Sequence, residues 1–145
     1  MWWWLVSGMI VVVGLIVLVW WRLSRRKRAM KVLMRRNQHL CDQEVAQVLH
    51  DLNWAYPDPL RSQPVADIWG HGIMAFAYAL PTPKQGMTKT DFAAALKAKP
   101  PVQSGQPTPQ LVITDWWTRE ATTHIDIAYV TNAATREYVQ DIRRV

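Results

Sequence analysis

Between Trp2 and Trp21 the chain runs for about twenty residues without a charge, WWWLVSGMIVVVGLIVLVWW, with only Ser7, Gly8 and Gly14 as weak positions. At a rise of 1.5 Å per residue a helix of that length crosses a hydrocarbon core of roughly 30 Å. Trp2, Trp3 and Trp4 at one end and Trp20 and Trp21 at the other place amphipathic rings at both headgroup levels, the aromatic belt of a transmembrane helix. A cleaved signal peptide has a basic leading region, a shorter apolar stretch and a small-residue cleavage site. Nothing basic precedes this run and no such site follows it, so residues 1–21 read as a retained span.

Orientation follows from charge. Arg22, Arg25, Arg26, Lys27, Arg28, Lys31, Arg35 and Arg36 follow the span with no acid among them. Lys and Arg beside a span are held on the cytoplasmic side. The expectation is a single-pass protein of the cell membrane, N-terminus outside and C-terminus in the cytoplasm, with residues 22–36 as a basic juxtamembrane segment. Cys41 fits that compartment, because a lone thiol makes no internal disulfide. Arg22, Arg25, Arg26, Lys27 and Arg28 also suit anionic headgroups, at about 1 kcal/mol per cation.

The net charge of +6 does not extend to the rest of the chain. Eight of the seventeen Lys and Arg lie in the flank, leaving nine against all eleven Asp and Glu, a net of about −2 for residues 37–145. A nucleic-acid surface needs clustered cations, so no direct nucleic-acid contact is expected.

Residues 37–145 suffice for one cytoplasmic domain with a modest core. From Gln38 to Asn53, Leu40, Val45, Val48, Leu49 and Leu52 recur at helical spacing, with Asp42 and Glu44 early in the segment. This amphipathic helix either continues the span or follows a break. WAYPDPLRSQP, with three prolines, reads as an irregular connection. GIMAFAYALP alternates Met74, Phe76, Tyr78 and Leu80 with small residues, a strand with one bulky face. After PTPKQG, Thr88 and Asp91 form a capping-box pattern for a helix over residues 89–99, ended by Pro100. PPVQSGQPTPQ is loop-like. LVITDWW and HIDIAYV, separated by TREATT, suit an antiparallel hairpin. Asn132 offers an N-cap to a final helix whose Tyr138, Ile142 and Val145 share a stripe toward the sheet.

The fold class is therefore α+β: an N-terminal single transmembrane helix, then a small domain with a three-stranded antiparallel or mixed sheet and two to three helices. It relates to a ferredoxin-like half that lacks its last strand. Such sheets host many functions and select none.

Leu80 and Pro81 ending a strand, Gly86 in a short turn, and Thr88, Asp91 and Phe92 opening a helix carry a likeness to a known family. The segment resembles the membrane-proximal region ahead of the ATPase in FtsK-type DNA translocases and conjugation coupling proteins of Gram-positive bacteria. The layout of a span with a basic flank is similar. The likeness covers about a quarter of the chain. No G-x-x-x-x-G-K-[ST] phosphate loop occurs, so it implies an accessory or truncated relative in a membrane DNA-transfer machine and no motor.

Enzyme signals are sparse. His124 and Asp126 alternate onto one strand face with Asp115 within possible reach, an imidazole and carboxylates of the kind that hold a metal or serve as a general base. The same alternation describes the solvent face of an antiparallel sheet, with Ile125, Ile127 and Tyr129 inside. His71 in WGHG fits a tight turn; His39 beside Cys41 has no second ligand pair, and His50 reads as a solvated helix residue. No catalytic residue, cofactor site or metal site is assigned. Trp116 and Trp117 must face opposite sides of their strand, so one belongs to the core and the other is a candidate partner anchor. The expected function is a membrane-anchored cytoplasmic binding or scaffolding protein whose partners are the bilayer and an unidentified membrane or cytoplasmic protein. An accessory part of a conjugation or DNA-translocation complex is the alternative, and a metal-dependent or acid/base enzyme the third.

Overall fold

The structure, a computed structural model, describes residues 2–65, 72–83, 86–98 and 109–144. Trp69, Gly70 and His71 of WGHG, most of the segment before Pro109, Lys84 and Gln85 of PTPKQG, and Val145 lie outside the described residues. In chain order the elements are α1 (Trp2–Asp51), β1 (Gln63–Pro64), β2 (Ala75–Pro81), α2 (Lys89–Ala98), β3 (Gln110–Arg119), β4 (Thr122–Val130) and α3 (Ala133–Ile142). The chain divides into two compact units, Met1–Arg35 and Arg36–Val145.

The first unit is helical throughout its described length. It contains an 18-residue window of mean hydropathy 2.4 with none of its surface buried, long and apolar enough to cross a membrane. One turn past Trp21, the Arg25 guanidinium lies over the indole, 3.8 Å from the ring centroid. The i,i+4 spacing creates this cation–π contact at the end of the apolar run.

In the second unit α1 buries Cys41, Val45, Val48 and Leu49, one stripe at i, i+4, i+7 and i+8. Its end is a Schellman turn: Asn53 takes a positive φ of 51°, its N–H donates to His50 O, and the Trp54 N–H donates back to Leu49 O at 2.9 Å. Asparagine tolerates the left-handed region better than most residues. That turn reverses the chain and delivers Trp54 into the core.

The sheet has four strands in the order β1-β2-β4-β3, all neighbours antiparallel, rather than three. The added strand comes from the proline-rich stretch expected to be irregular. β1 has two residues, Gln63 opposite Ala77 and Pro64 opposite Phe76, and Val65 N–H closes it on Ala75 O at 2.9 Å. Two residues leave no alternation to read, and proline at a sheet edge lacks only a donor that nothing needs. β2 and β3 are parallel to each other with β4 inserted between them, so β2-α2-β3 is a split β-α-β crossover.

One sheet face carries Phe76, Tyr78, Leu80, Ile125, Ile127 and Trp116, and the α1 stripe and α2 pack on it. Phe92 of α2 meets Trp54 and Trp116 at centroid distances of 5.6 and 5.9 Å. The capping box of α2 forms as the sequence implies: Thr88 N–H donates to Asp91 Oδ2 at 2.9 Å, and Asp91 N–H to Thr88 Oγ1 at 3.3 Å. Asp91 is held below the usual carboxylate range by its hydrogen bonds from Thr88.

α3 lies on the opposite face, where Val139 joins Ala75 and Ala128, flanked by Val112, Val130 and Tyr138. Asn132 caps it, accepting from Thr135 N at 2.8 Å, and also donates to Gly72 O. The stripe expected on this helix is corrected. Thr135 and Val139 are the buried pair, with Thr135 Oγ1 accepting from Met74 N at 2.8 Å, whereas Ile142 remains 36% exposed. Thr135, Val139 and Ile142 share one stripe at i, i+4 and i+7, and Ile142 is left exposed because it is the last residue of the helix.

Candidate functional site

The β3–β4 hairpin carries the residues singled out as candidates, and a bulge decides which face each takes. Ile113 pairs with Ile127 and Asp115 with Asp126, so Thr114 is the extra residue, and its Oγ1 donates to Asp126 O at 3.2 Å. Strict alternation would put Leu111, Ile113, Asp115 and Trp117 on one face and the carboxylate in the core. The bulge inverts the phase. Leu111, Ile113 and Trp116 face the helices, while Asp115 and Trp117 face outward. Of the tryptophan pair, Trp116 stacks at tilted angles with Trp54 and Phe92, each 5.9 Å away, and Trp117 is the exposed member at 44%.

Trp117 is not isolated. It lies directly opposite His124, and the two rings stack with centroids 3.8 Å apart and planes within 6°. Next to them Asp115 and Asp126 face each other across the ladder. Burial raises the Asp126 pKa, the Asp115 charge raises it further, and His124 works in the opposite sense. α3 reaches this face with Tyr138, which packs against the Ala75, Ala128 and Val139 cluster. Among the described residues no helix beyond Tyr138 covers this side of Ala77, Ala79, His124, Trp117 or Arg119; Ala79, Trp117 and Arg119 are exposed, and Ala77 and His124 are half-buried.

The candidate trio of His124, Asp126 and Asp115 thus shares a face, with Trp117 over the imidazole. Among the described residues no group of three His, Cys, Asp or Glu is placed to hold a metal ion. His39 and His50 are exposed on α1. Trp2, Trp3, Trp4, Trp20, Trp21, Arg22, Arg25, Lys27 and Arg28 are exposed on the same helix, on which Arg26 also lies.

The six residues that carry the family likeness do local structural work. Leu80 and Phe92 are fully buried, Pro81 O accepts the Trp54 indole N–H at 2.7 Å, Gly86 takes a φ of 62°, and Thr88 with Asp91 caps α2.

Two features escaped sequence reasoning. The Tyr78 hydroxyl donates to Asp42 Oδ1 at 2.8 Å and lies 3.3 Å from Cys41 Sγ, a polar knot between α1 and β2. The only signal was Cys41 beside Asp42 on the buried edge of a helix. The other is a shallow cleft of about 600 Å³ between Ala55, Tyr56 and Pro57 and the residues Ala79, Pro81, Ala121 and Thr122. It depends on where the loop after α1 runs.

The Asp126 environment sets a pH dependence. A carboxyl whose folded pKa is raised contributes stability below its unfolded value near 4, and that contribution is lost as pH rises through the folded value. Asp126→Asn is therefore expected to unfold at a higher temperature than wild type at pH 7, by less than about 1 kcal/mol because the group is half exposed and screened. Thermal unfolding at pH 7 and pH 3 checks it: the gap should close in acid.

No family model, curated protein or solved structure matches the chain.

Proposed function

We propose that the chain is a membrane-anchored binding protein, held in the bilayer by the apolar part of α1, whose Arg36–Val145 unit works in the cytoplasm through protein contacts. The observation that carries this reading is the part of the second sheet face that no described helix covers, with Trp117 exposed on its edge strand. An aromatic ring on a rigid strand concentrates binding energy at an interface. The charge asymmetry across the span supports the orientation, and the basic flank, Arg22 to Arg36, suits the anionic cytoplasmic leaflet.

The test is crosslinking of the full-length protein in native membranes, with topology read in parallel. A reporter active only in the cytoplasm, fused after Val145, should be active, and protease outside intact cells should leave the unit whole. Trp117→Ala should reduce crosslinked product, with a loss of about 2 kcal/mol in binding and little loss of fold stability. Unchanged crosslinking in Trp117→Ala removes the surface from the proposal, and external digestion removes the orientation.

A further inference from the structure

Among the described residues β3 ends the sheet and pairs with β4 on one side only. An edge strand presents backbone N–H and C=O groups to which another strand can add. The ladder phase identifies those groups. Val65 N–H donates to Ala75 O, so Ala75 and the residues in phase with it turn toward β1, whereas Phe76, Tyr78 and Leu80 turn toward β4. Their partners Ile127, Ile125 and Thr123 face β2, which leaves Asp126, His124 and Thr122 to face β3. On β3, then, Asp115, Trp117 and Arg119 direct their backbone groups inward and Trp116 and Thr118 direct theirs outward. The Trp116 N–H agrees with this phase, since it takes the exposed Asp115 carboxylate at 2.8 Å.

After the bulge the edge reads Asp115-Trp116-Trp117-Thr118-Arg119, and this segment is complementary to itself. Laid antiparallel about a two-fold axis through Trp117, Asp115 of each copy stands opposite Arg119 of the other. Trp117 stands opposite Trp117 of the second copy, and the outward groups of Trp116 meet those of Thr118, the Trp116 N–H exchanging its Asp115 acceptor for Thr118 O as the carboxylate turns to Arg119. Asp115, Trp117 and Arg119 share the open face and occupy the non-hydrogen-bonded positions, where opposed side chains come closest. Arg119 makes no ion pair among the described residues, and Asp115 sits against Asp126, so each of these groups meets across the axis the opposite charge that it does not meet within its own copy. The bulge at Thr114 keeps residues before it out of phase, which leaves this register.

We propose that the occupant of the open edge is a second copy of this chain, joined by antiparallel β3–β3 pairing registered on Trp117 into one continuous sheet. The inference rests on the reading of the chain as a binding protein and names the contact that Trp117 makes. Anchoring in one bilayer raises the effective concentration of two such edges.

The test uses the full-length protein in native membranes. Cys41 is buried, so an introduced thiol reports alone. Under mild oxidation Trp117→Cys, on the two-fold axis, should give a disulfide-linked dimer, whereas Gln110→Cys before the bulge should not. Adding Asp115→Arg or Arg119→Asp to Trp117→Cys places like charges opposite each other twice and should lower the dimer fraction about tenfold or more, while both reversals together restore it. Light scattering of the tryptophan-containing protein in detergent, with and without Asp115→Arg, reads the same equilibrium without the cysteine. Equal crosslinking at residues 110 and 117, indifference to the single reversals, or one copy per micelle overturns the proposal. A photoactivatable probe on Thr118→Cys, an exposed edge position that keeps Trp117, overturns the second copy and leaves the binding reading standing if it captures a different protein. Capture of nothing overturns both.

Discussion

Trp54→Ala is expected to destabilise the Arg36–Val145 unit by roughly 3 to 5 kcal/mol, the range for truncating a large buried aromatic residue. Trp54 is 5% exposed and touches both Phe92 and Trp116, so its removal opens a cavity between the end of α1, α2 and β3. Its indole also donates to Pro81 O at 2.7 Å. Pro81 lies at an exposed strand end, where water can replace that donor, so cavity formation dominates the loss. Trp54→Phe should therefore lose only about 1 kcal/mol. A domain of this size has about 5 to 15 kcal/mol in hand, and the alanine variant gives up a large part of it. Urea unfolding of residues 36–145 followed by far-ultraviolet dichroism measures both variants. Wild type should unfold in one cooperative step, and a Trp54→Ala loss below about 1 kcal/mol would mean that the cluster does not hold the unit together.

The position of Trp54 shows where sequence legibility ends. The alternation of Phe76, Tyr78 and Leu80 with alanines, and the Val45, Val48 and Leu49 stripe, state their buried faces directly, because period two and period 3.6 are local geometry. Thr88 with Asp91, and Asn132, announce helix starts for the same reason: each cap is a contact within three residues. Trp54 is different. It follows a helix and precedes prolines, and only the left-handed Asn53 sends it inward. β1 was illegible because two residues have no period, and because its partner, Ala77, is fourteen positions away.

The candidate surface was half legible. Vicinal tryptophans on a strand must face opposite ways, which needs no structure. Which one faces out depends on Thr114. An alternating reading of Leu111, Ile113 and Asp115 carries no mark of the bulge that turns Asp115 outward, since the bulge is fixed by the Thr114 bond to Asp126 O across the ladder. The α3 stripe failed for a related reason: Thr135 looks like a surface residue until the Met74 N–H is seen to need an acceptor.

Cys41 should react with a thiol reagent at pH 8 at least about a thousandfold more slowly in the folded protein than after unfolding in urea, because only the thiolate attacks. Its side chain is fully buried. Burial pushes the thiol up to about 12, and the Asp42 and Glu44 charges add to this while the Tyr78 hydrogen bond opposes it. Reaction must then wait for opening of α1 from β2, so its rate reports the free energy of that opening. A raised thiol pKa contributes stability that is complete below the unfolded value of about 8.5 and is lost as pH rises toward the folded one. Stability should accordingly fall between about pH 9 and pH 12. The tyrosines Tyr78 and Tyr129, which burial also pushes up, lose stability in the same direction. Cys41→Ser separates the thiol from the tyrosines, since serine does not ionise in this range: it should begin less stable near neutrality and lose less as the solution becomes alkaline. Rapid labelling of the folded wild type, at a rate close to that of the urea-unfolded chain, would show that the Cys41–Tyr78–Asp42 contact does not hold α1 against the sheet.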